Sequence, residues 1–302
     1  MTIKLLVVCS VSKRILIYIV VFQIVIIGVI AVNIFRKQEV LGVVVDPINK
    51  EDVIATKSGN LKGYYTLKPN RLIVKDLSKM GDKYKYSVTY NINSDGFNQM
   101  NDYELLKAKD TFRIMTLGAS FTFGANVVTA DNYPSQLEKL LNDQCRGTYK
   151  YEVFNLGVGG YDIIYSLNRF NEDGLKYSPD LVVWYLTGSD FLRINERKKG
   201  YGVVLKDEEL AISQRYNLRK IGETFKGKVV FVASSVLPWQ YKNILKNIPK
   251  VMSSASIYLD SPDINSEHEV FPDNHPTKRG YYLIAENILN HIIEDRILPC
   301  KD

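Results

Sequence analysis

FRIMTLGASFTFG, from Phe112 to Gly124, decides how the rest of the chain is read. The apolar run Ile114-Met115-Thr116-Leu117 breaks at Gly118 and presents Ala119 and Ser120. A second glycine, Gly124, follows before helix-like sequence begins near Tyr133. This pattern predicts a buried strand that delivers a serine onto a tight strand-to-helix turn. Such a turn suits a nucleophile, because the hydroxyl stands above the end of the sheet while nearby backbone N–H groups face the charge that develops on a substrate oxygen. A Gly-x-Ser turn can equally be structural, so the flanking sequence has to choose.

From Phe112 onward, apolar β-branched runs alternate with segments of helical period. Strands are predicted at Phe112–Leu117, Tyr151–Leu156, Leu181–Leu186, Val229–Ala233 and Ser256–Asp260. Helices are predicted at Tyr133–Gln144, Ile163–Glu172, Glu208–Gly222, Tyr241–Met252 and Thr277–Arg296. Strands alternating with helices imply a parallel sheet covered on both faces, since parallel neighbours need a crossover and a helix usually supplies it. Ligands of such sheets sit outside the carboxyl ends of the strands. There the first strand ends in Gly118-Ala119-Ser120, the second in NLGVGG (Asn155 to Gly160), and the third in Thr187-Gly188-Ser189-Asp190. The fifth leads into FPDNHPTKRGYYLIAENIL, from Phe271 to Leu289. A dinucleotide fingerprint is excluded, because Asp162 stands where GxGxxG requires its last glycine.

A serine hydroxyl needs an adjacent base, most often imidazole. The chain has three histidines, His268, His275 and His291. His291 falls inside the last predicted helix among Ile288, Leu289, Ile292 and Ile293, a structural setting, and His268 lies in the polar run Glu267-His268-Glu269. His275 stands on the rim before Pro276 and a helix start, with Asp273 two residues earlier to orient its ring. A capping or turn role for Asp273-Asn274-His275-Pro276 is the competing assignment.

In order and position these blocks resemble those of the SGNH/GDSL hydrolase superfamily, over roughly residues 93 to 296. FRIMTLGASFTFG resembles the first block, NLGVGG the second and DNHPTKRGYYLIAE the last; NSDGF (Asn93 to Phe97) and YPSQLEKLL resemble flanking features of membrane-anchored or exported members. The resemblance implies a flavodoxin-like three-layer α/β/α sandwich with a five-stranded parallel sheet. It implies Ser120 as nucleophile, His275 as base and Asp273 as orienting acid. The oxyanion hole would be formed by the N–H groups of Ser120 and Gly160, with Ser189 as third member. Two departures accompany it. Ala119 replaces the Asp of Gly-Asp-Ser, and Ser189 stands where the third block carries an asparagine. Losing one oxyanion donor costs on the order of 10²–10³ in rate.

The expected activity is that of a serine esterase acting on O-acyl groups of an envelope or extracellular polysaccharide, by hydrolysis or acyl transfer. A lipid esterase or thioesterase, and a catalytically lapsed carbohydrate-binding or assembly protein, are the alternatives. This chemistry needs no metal or cofactor. Segments 191–228 and 236–248 are where substrate-shaping residues are expected.

The chain has 302 residues, 46% hydrophobic and 24% charged, enough for one sizeable core. Its formal charge of +6 comes mostly from the N-terminus: Lys4, Lys13, Arg14, Arg36 and Lys37 take five of 39 basic residues, leaving 34 against 33 acidic ones. Net charge therefore gives no support for a nucleic-acid partner. Between those basic residues lies ILIYIVVFQIVIIGVIAVNIF, Ile15 to Phe35, long enough at about 1.5 Å per residue to span a bilayer core of ~30 Å. It predicts an uncleaved anchor over 15–35 after a short cytoplasmic N-terminus, 1–14, with the body outside the cytoplasm; a cleaved signal peptide is the rival. Cys9 precedes this segment and has Val8 before it, which excludes lipid attachment. Residues 36–110 form a β-rich lead-in with no nameable chemistry: Val40–Val45 and Tyr84–Ile92 are strand-like, and Gly59-Asn60 and Pro69-Asn70 are turns. The hydrolase domain is expected over 111–302. Outside the cytoplasm, Cys145 and Cys300 could pair.

Overall fold

In the computed structural model, residues 23, 52–55, 61, 63–147, 149–199, 205–252 and 254–300 are described. The expected anchor at 15–35 lies outside them except for Gln23, as do Val40–Val45 and the Gly59-Asn60 turn. Among the described residues, no helix is long and apolar enough to cross a membrane. The chain divides into two units, Met1–Val43 and Val44–Asp302, and the second holds everything that follows.

The lead-in forms two antiparallel pairs: β1 (Val53–Ala55) with β2 (Tyr65–Leu67), and β3 (Arg71–Asp76) with β4 (Ser87–Ile92). Asn70, at φ +55, makes the turn expected at Pro69-Asn70. Tyr90 and Ile92 alternate inward from β4, as a half-exposed strand requires.

Five further strands follow: β5 (Thr111–Leu117), β6 (Lys150–Asn155), β7 (Leu181–Leu186), β8 (Lys228–Ala233) and β9 (Ser256–Asp260). Each matches its predicted span to within one residue. They pair in parallel in the order β6-β5-β7-β8-β9, the flavodoxin-like order with its switch point beside β5. The helices are α1 (Ser120–Phe123), α2 (Tyr133–Gln144), α3 (Ile163–Arg169), α4 (Gly188–Lys199), α5 (Asp207–Thr224), α6 (Trp239–Asn247) and α7 (Lys278–Glu294).

The period of two along each strand divides the core into two layers. From β7, whose six residues are all buried, Leu181, Val183 and Tyr185 join Leu137 and Leu141 of α2, Ile284 and Ile288 of α7, and the lead-in's Tyr65, Ile73 and Tyr90. Val182, Trp184 and Leu186 turn the other way, to Leu167 of α3, Phe191 and Ile194 of α4, Leu218 of α5 and Leu245 of α6. Burying each such side chain stabilises the fold by about 1.5–3 kcal/mol. The lead-in thus shares one core with the sheet rather than forming a separate body.

Two departures from the sequence expectation have local causes. The helix predicted over Ile163–Glu172 stops at Arg169 and continues as a wider turn, Phe170–Gly174. There the buried Arg169 guanidinium pairs with Asp173 at 2.9 Å and donates to the Gly96 carbonyl at 2.9 Å. Helix α4 is absent from the sequence expectation because its apolar side chains, Phe191, Leu192 and Ile194, occupy a single turn between a glycine start and a charged second half. Cys145 and Cys300 form a disulfide, with Cα atoms 4.9 Å apart, that joins the end of α2 to the segment after α7.

Candidate active site

The turn after β5 requires its glycine. Gly118 has φ +147, and a Cβ there would lie 2.4 Å from Thr122 Oγ1 and 2.6 Å from the Tyr185 carbonyl. Freed of that clash, the chain turns from strand to helix and puts Ser120 at the first position of α1, where a helix leaves N–H groups without intrahelical acceptors. The carbonyl of Phe123, at the end of α1, accepts from Asn98 Nδ2 at 2.7 Å and Asn155 Nδ2 at 3.2 Å. The serine is therefore braced from β6 and from the segment before β5.

The loop that carries His275 crosses most of the sheet. β9 lies at the edge, so the loop after it must cross the ends of β8 and β7 to reach β5. The loop closes tightly: Phe271 N–H donates to the His275 carbonyl at 2.8 Å and Thr277 N–H to the Glu269 carbonyl at 2.8 Å. Asn274 sits at φ +65 between the two functional side chains, a conformation asparagine tolerates well. Thr277 caps α7, and Tyr281 within that helix donates to the Ala125 carbonyl at 3.2 Å, pinning it to the loop that follows Ser120.

The result is a continuous line. His275 Nε2 lies 2.8 Å from Ser120 Oγ, and His275 Nδ1 lies 3.0 Å from Asp273 Oδ2. The second contact has the distance of a hydrogen bond without its alignment, since no acceptor lies along the Nδ1–H direction. Such loose alignment is ordinary in a resting site, where catalytic hydrogen bonds are often long or poorly aligned. Burial opposes ionisation of Asp273, but His275 beside it and the Asn126 amide outweigh burial and pull the carboxyl down to about 2. The imidazole is mostly covered, at 16% exposure, with the Phe121 ring 5.4 Å away.

Gly160 lies in the turn after β6 at φ +82, where a side chain would be strained. This turn meets the turn that carries Ser120 directly. Val158 N–H points at the Gly118 carbonyl at 3.4 Å, and the Gly159 carbonyl accepts from the Tyr65 hydroxyl at 2.6 Å.

Ser189 opens α4 beyond β7, with its Oγ 2.8 Å from Thr187 Oγ1. Thr187 donates its own hydroxyl proton to Asp190 Oδ2 at 2.6 Å, and its N–H goes to the same oxygen at 2.8 Å. A hydroxyl has one proton, so with Asp190 ionised the Ser189 proton is drawn to Thr187. Burial pushes Asp190 up to about 7 against those two donors, Asp162 adds repulsion, and its Oδ1 has no hydrogen-bond partner among the described residues.

Sequence reasoning missed Asn126, Lys75 and Tyr65. Asn126 Nδ2 donates to Asp273 Oδ2 at 2.8 Å and its Oδ1 accepts from Lys75 Nζ at 2.6 Å. Neither residue stands in a motif, and a lysine in an alternating strand reads as solvent-facing. Of the other histidines, His291 contacts the Asn287 carbonyl within α7, and His268 stays in the exposed loop. Among the described residues, no group of acidic, cysteine or histidine side chains is arranged to hold a metal.

No family model matches the sequence, and no curated protein matches it. Solved structures do. The protein TesA is 20% identical over 62% of this chain and 99% of its own, with a TM-score of 0.48. A two-domain esterase active on acetylated mannans is 17% identical over 64% of this chain, with a TM-score of 0.47. An acetylxylan esterase, Axe2 from Geobacillus stearothermophilus, is 16% identical over 63% of this chain and 96% of its own, at 0.46. The chain is similar to each of these over about three fifths of its length, at 16–20% identity. It spans about half, 52%, of the two-domain mannan esterase. The departures from the resembled blocks are Ala119 beside the serine and Ser189 where the resemblance implies an asparagine.

Proposed function

We propose that this protein is a serine esterase whose substrates are O-acyl groups on an envelope or extracellular polysaccharide. The observation that carries the proposal is the line Ser120–His275–Asp273 at 2.8 and 3.0 Å, on the carboxyl rim of a parallel sheet. Ser120 Oγ attacks the ester carbonyl while His275 Nε2 takes its proton. The tetrahedral oxyanion faces the N–H groups of Ser120 and Gly160, and Ser189 when its hydroxyl is turned from Thr187. Collapse expels the alcohol, protonated by His275, and leaves Ser120 acylated. Water or an acceptor hydroxyl, deprotonated by His275, then removes the acyl group. Asp273 stays ionised throughout and holds the imidazolium.

The motif resemblance supports a polysaccharide ester as substrate. So does the Trp239 ring, 74% exposed after β8 on the same rim, which offers an amphipathic flat face. Export is supported by the disulfide, which persists in oxidising compartments, and by the apolar segment 15–35, which we propose anchors the domain outside the cytoplasm.

The test is turnover of short-chain nitrophenyl esters and of an acetylated polysaccharide by the full-length protein. Ser120→Ala should abolish hydrolysis and labelling by a serine-directed phosphonate while leaving the thermal midpoint unchanged. Turnover surviving in that variant would remove Ser120 from the mechanism. Hydrolysis of long-chain acyl thioesters in preference to acetyl sugars would favour the lipid esterase.

A further inference from the structure

Lys75 lies on β3, in a strand with mostly exposed side chains, yet its ammonium donates to Asn126 Oδ1 at 2.6 Å. Asn126 is 1% exposed and stands in the loop between α1 and α2 at φ +70. An amide has two unlike ends, and its orientation follows from its partners. Lysine can only donate, so the oxygen of Asn126 must face Lys75. That turns Nδ2 toward Asp273 Oδ2, 2.8 Å away. The ionised carboxylate, an acceptor only, selects the same end of the amide, so Lys75 and Asp273 hold Asn126 in one orientation from both sides, and without the lysine the amide is tethered at one end alone.

The grip on Asn126 is double. Its backbone N–H donates to the Tyr90 hydroxyl at 3.0 Å, and Tyr90 comes from β4. Both strands of one hairpin therefore hold the residue that holds the acid. Asp273 Oδ2, the atom Asn126 contacts, is the oxygen that faces His275 Nδ1. Its Oδ1 accepts the His275 backbone N–H at 3.2 Å.

We propose that Lys75 and Asn126 are positioning residues: Lys75 fixes the amide of Asn126, and that amide aims the Asp273 carboxylate at His275. The hairpin is then a working part of the site, although it lies outside the sheet and its blocks. The proposal rests on the esterase reading for its kinetic consequence alone. The charged and titratable groups around Asp273 are His275 on its own loop, Tyr281 on α7 and, through Asn126, Lys75 on β3.

The experiment uses the full-length protein with Lys75→Met, Lys75→Arg, Asn126→Ala and the double variant Lys75→Met/Asn126→Ala. Kinetics on a nitrophenyl ester are paired with carboxyl-carbon NMR titration of Asp273, which needs no turnover. Lys75→Met and Asn126→Ala should each lower kcat on the order of tenfold, the scale of losses when a residue orienting a functional ligand is removed. KM should be unchanged, and the Asp273 titration should move to higher pH. Lys75→Arg, which keeps the donor, should recover most of both. Because Lys75 acts through Asn126, adding Lys75→Met to Asn126→Ala should cost nothing further. Additive kinetic losses, or an Asp273 titration unmoved by either substitution, would overturn the proposal. A native protein that hydrolyses no ester, yet shows the titration shift and its loss of additivity, would retain the positioning role and refute the esterase reading.

Discussion

Ser189 and Asp190 are adjacent, and each leads to a measurement. An asparagine at 189 would carry two amide protons, one for Thr187 and one for the oxyanion, where the serine has a single proton already drawn to Thr187. Ser189→Asn should therefore raise kcat more than it changes KM, because the added donor meets charge that exists only in the transition state. Thermal melting checks that the larger side chain is accommodated. Asp190 bears on stability. Its folded carboxyl titrates near 7, against 3.8 for an ordinary aspartate. Between those values the native state holds a proton that the unfolded chain has released, so stability falls as pH rises through this window. Above about pH 7 the penalty is complete. Asp190→Asn cannot titrate, so its thermal midpoint, measured from pH 4.5 to 8, should decline less steeply than that of the native protein.

At the scale of elements, the two ends of the sheet are built differently. The carboxyl rim carries the candidate chemistry; the opposite end is closed by Arg113, buried at the start of β5. Its Nε pairs with Glu152 of β6 at 2.8 Å, and its other nitrogens donate to the carbonyls of Glu104, Leu105 and Tyr177. Removing it leaves Glu152 with Lys150 alone and three carbonyls without this donor. Arg113→Met should cost about 3–5 kcal/mol in denaturant unfolding, the range for breaking a buried ion pair. The double change Arg113→Met/Glu152→Leu should cost less than the single one. None of this was legible in FRIMTL, where one charged residue in an apolar run reads as a strand edge. The strands themselves were legible because apolar, β-branched runs have few alternatives in an α/β chain. α4 was not, because in a helix that starts Gly-Ser-Asp and ends in charges the apolar face, Phe191 and Ile194, is one turn long and too short to show a period.

At the scale of the whole molecule, the disulfide closes the chain around its sheet. It spans 155 positions, and in the chain-entropy model a loop of that size contributes roughly 4–5 kcal/mol. Protein exported from the cell and unfolded without reductant should show one reactive thiol, Cys9, and three after reduction. Three before reduction would rule the bridge out. Reduction should also lower the thermal midpoint.

Period and punctuation alone marked the five strands of the parallel sheet and the glycine turn that carries Ser120, and singled out His275 among three histidines as the candidate base. These are local matters: a run of β-branched residues, a glycine where Cβ cannot fit, a histidine before Pro at a helix start. Tertiary structure alone decided what surrounds those residues. Lys75 and Asn126 are 51 positions apart, and Asn126 and Asp273 are 147 apart; no periodicity relates them. Their meeting depends on the lead-in hairpin packing against the same sheet face as α7, and on a loop carrying Asp273 across the sheet ends. Whether Ser189 has a proton to offer depended likewise on which neighbours claim it, a matter of distances among three side chains on one turn.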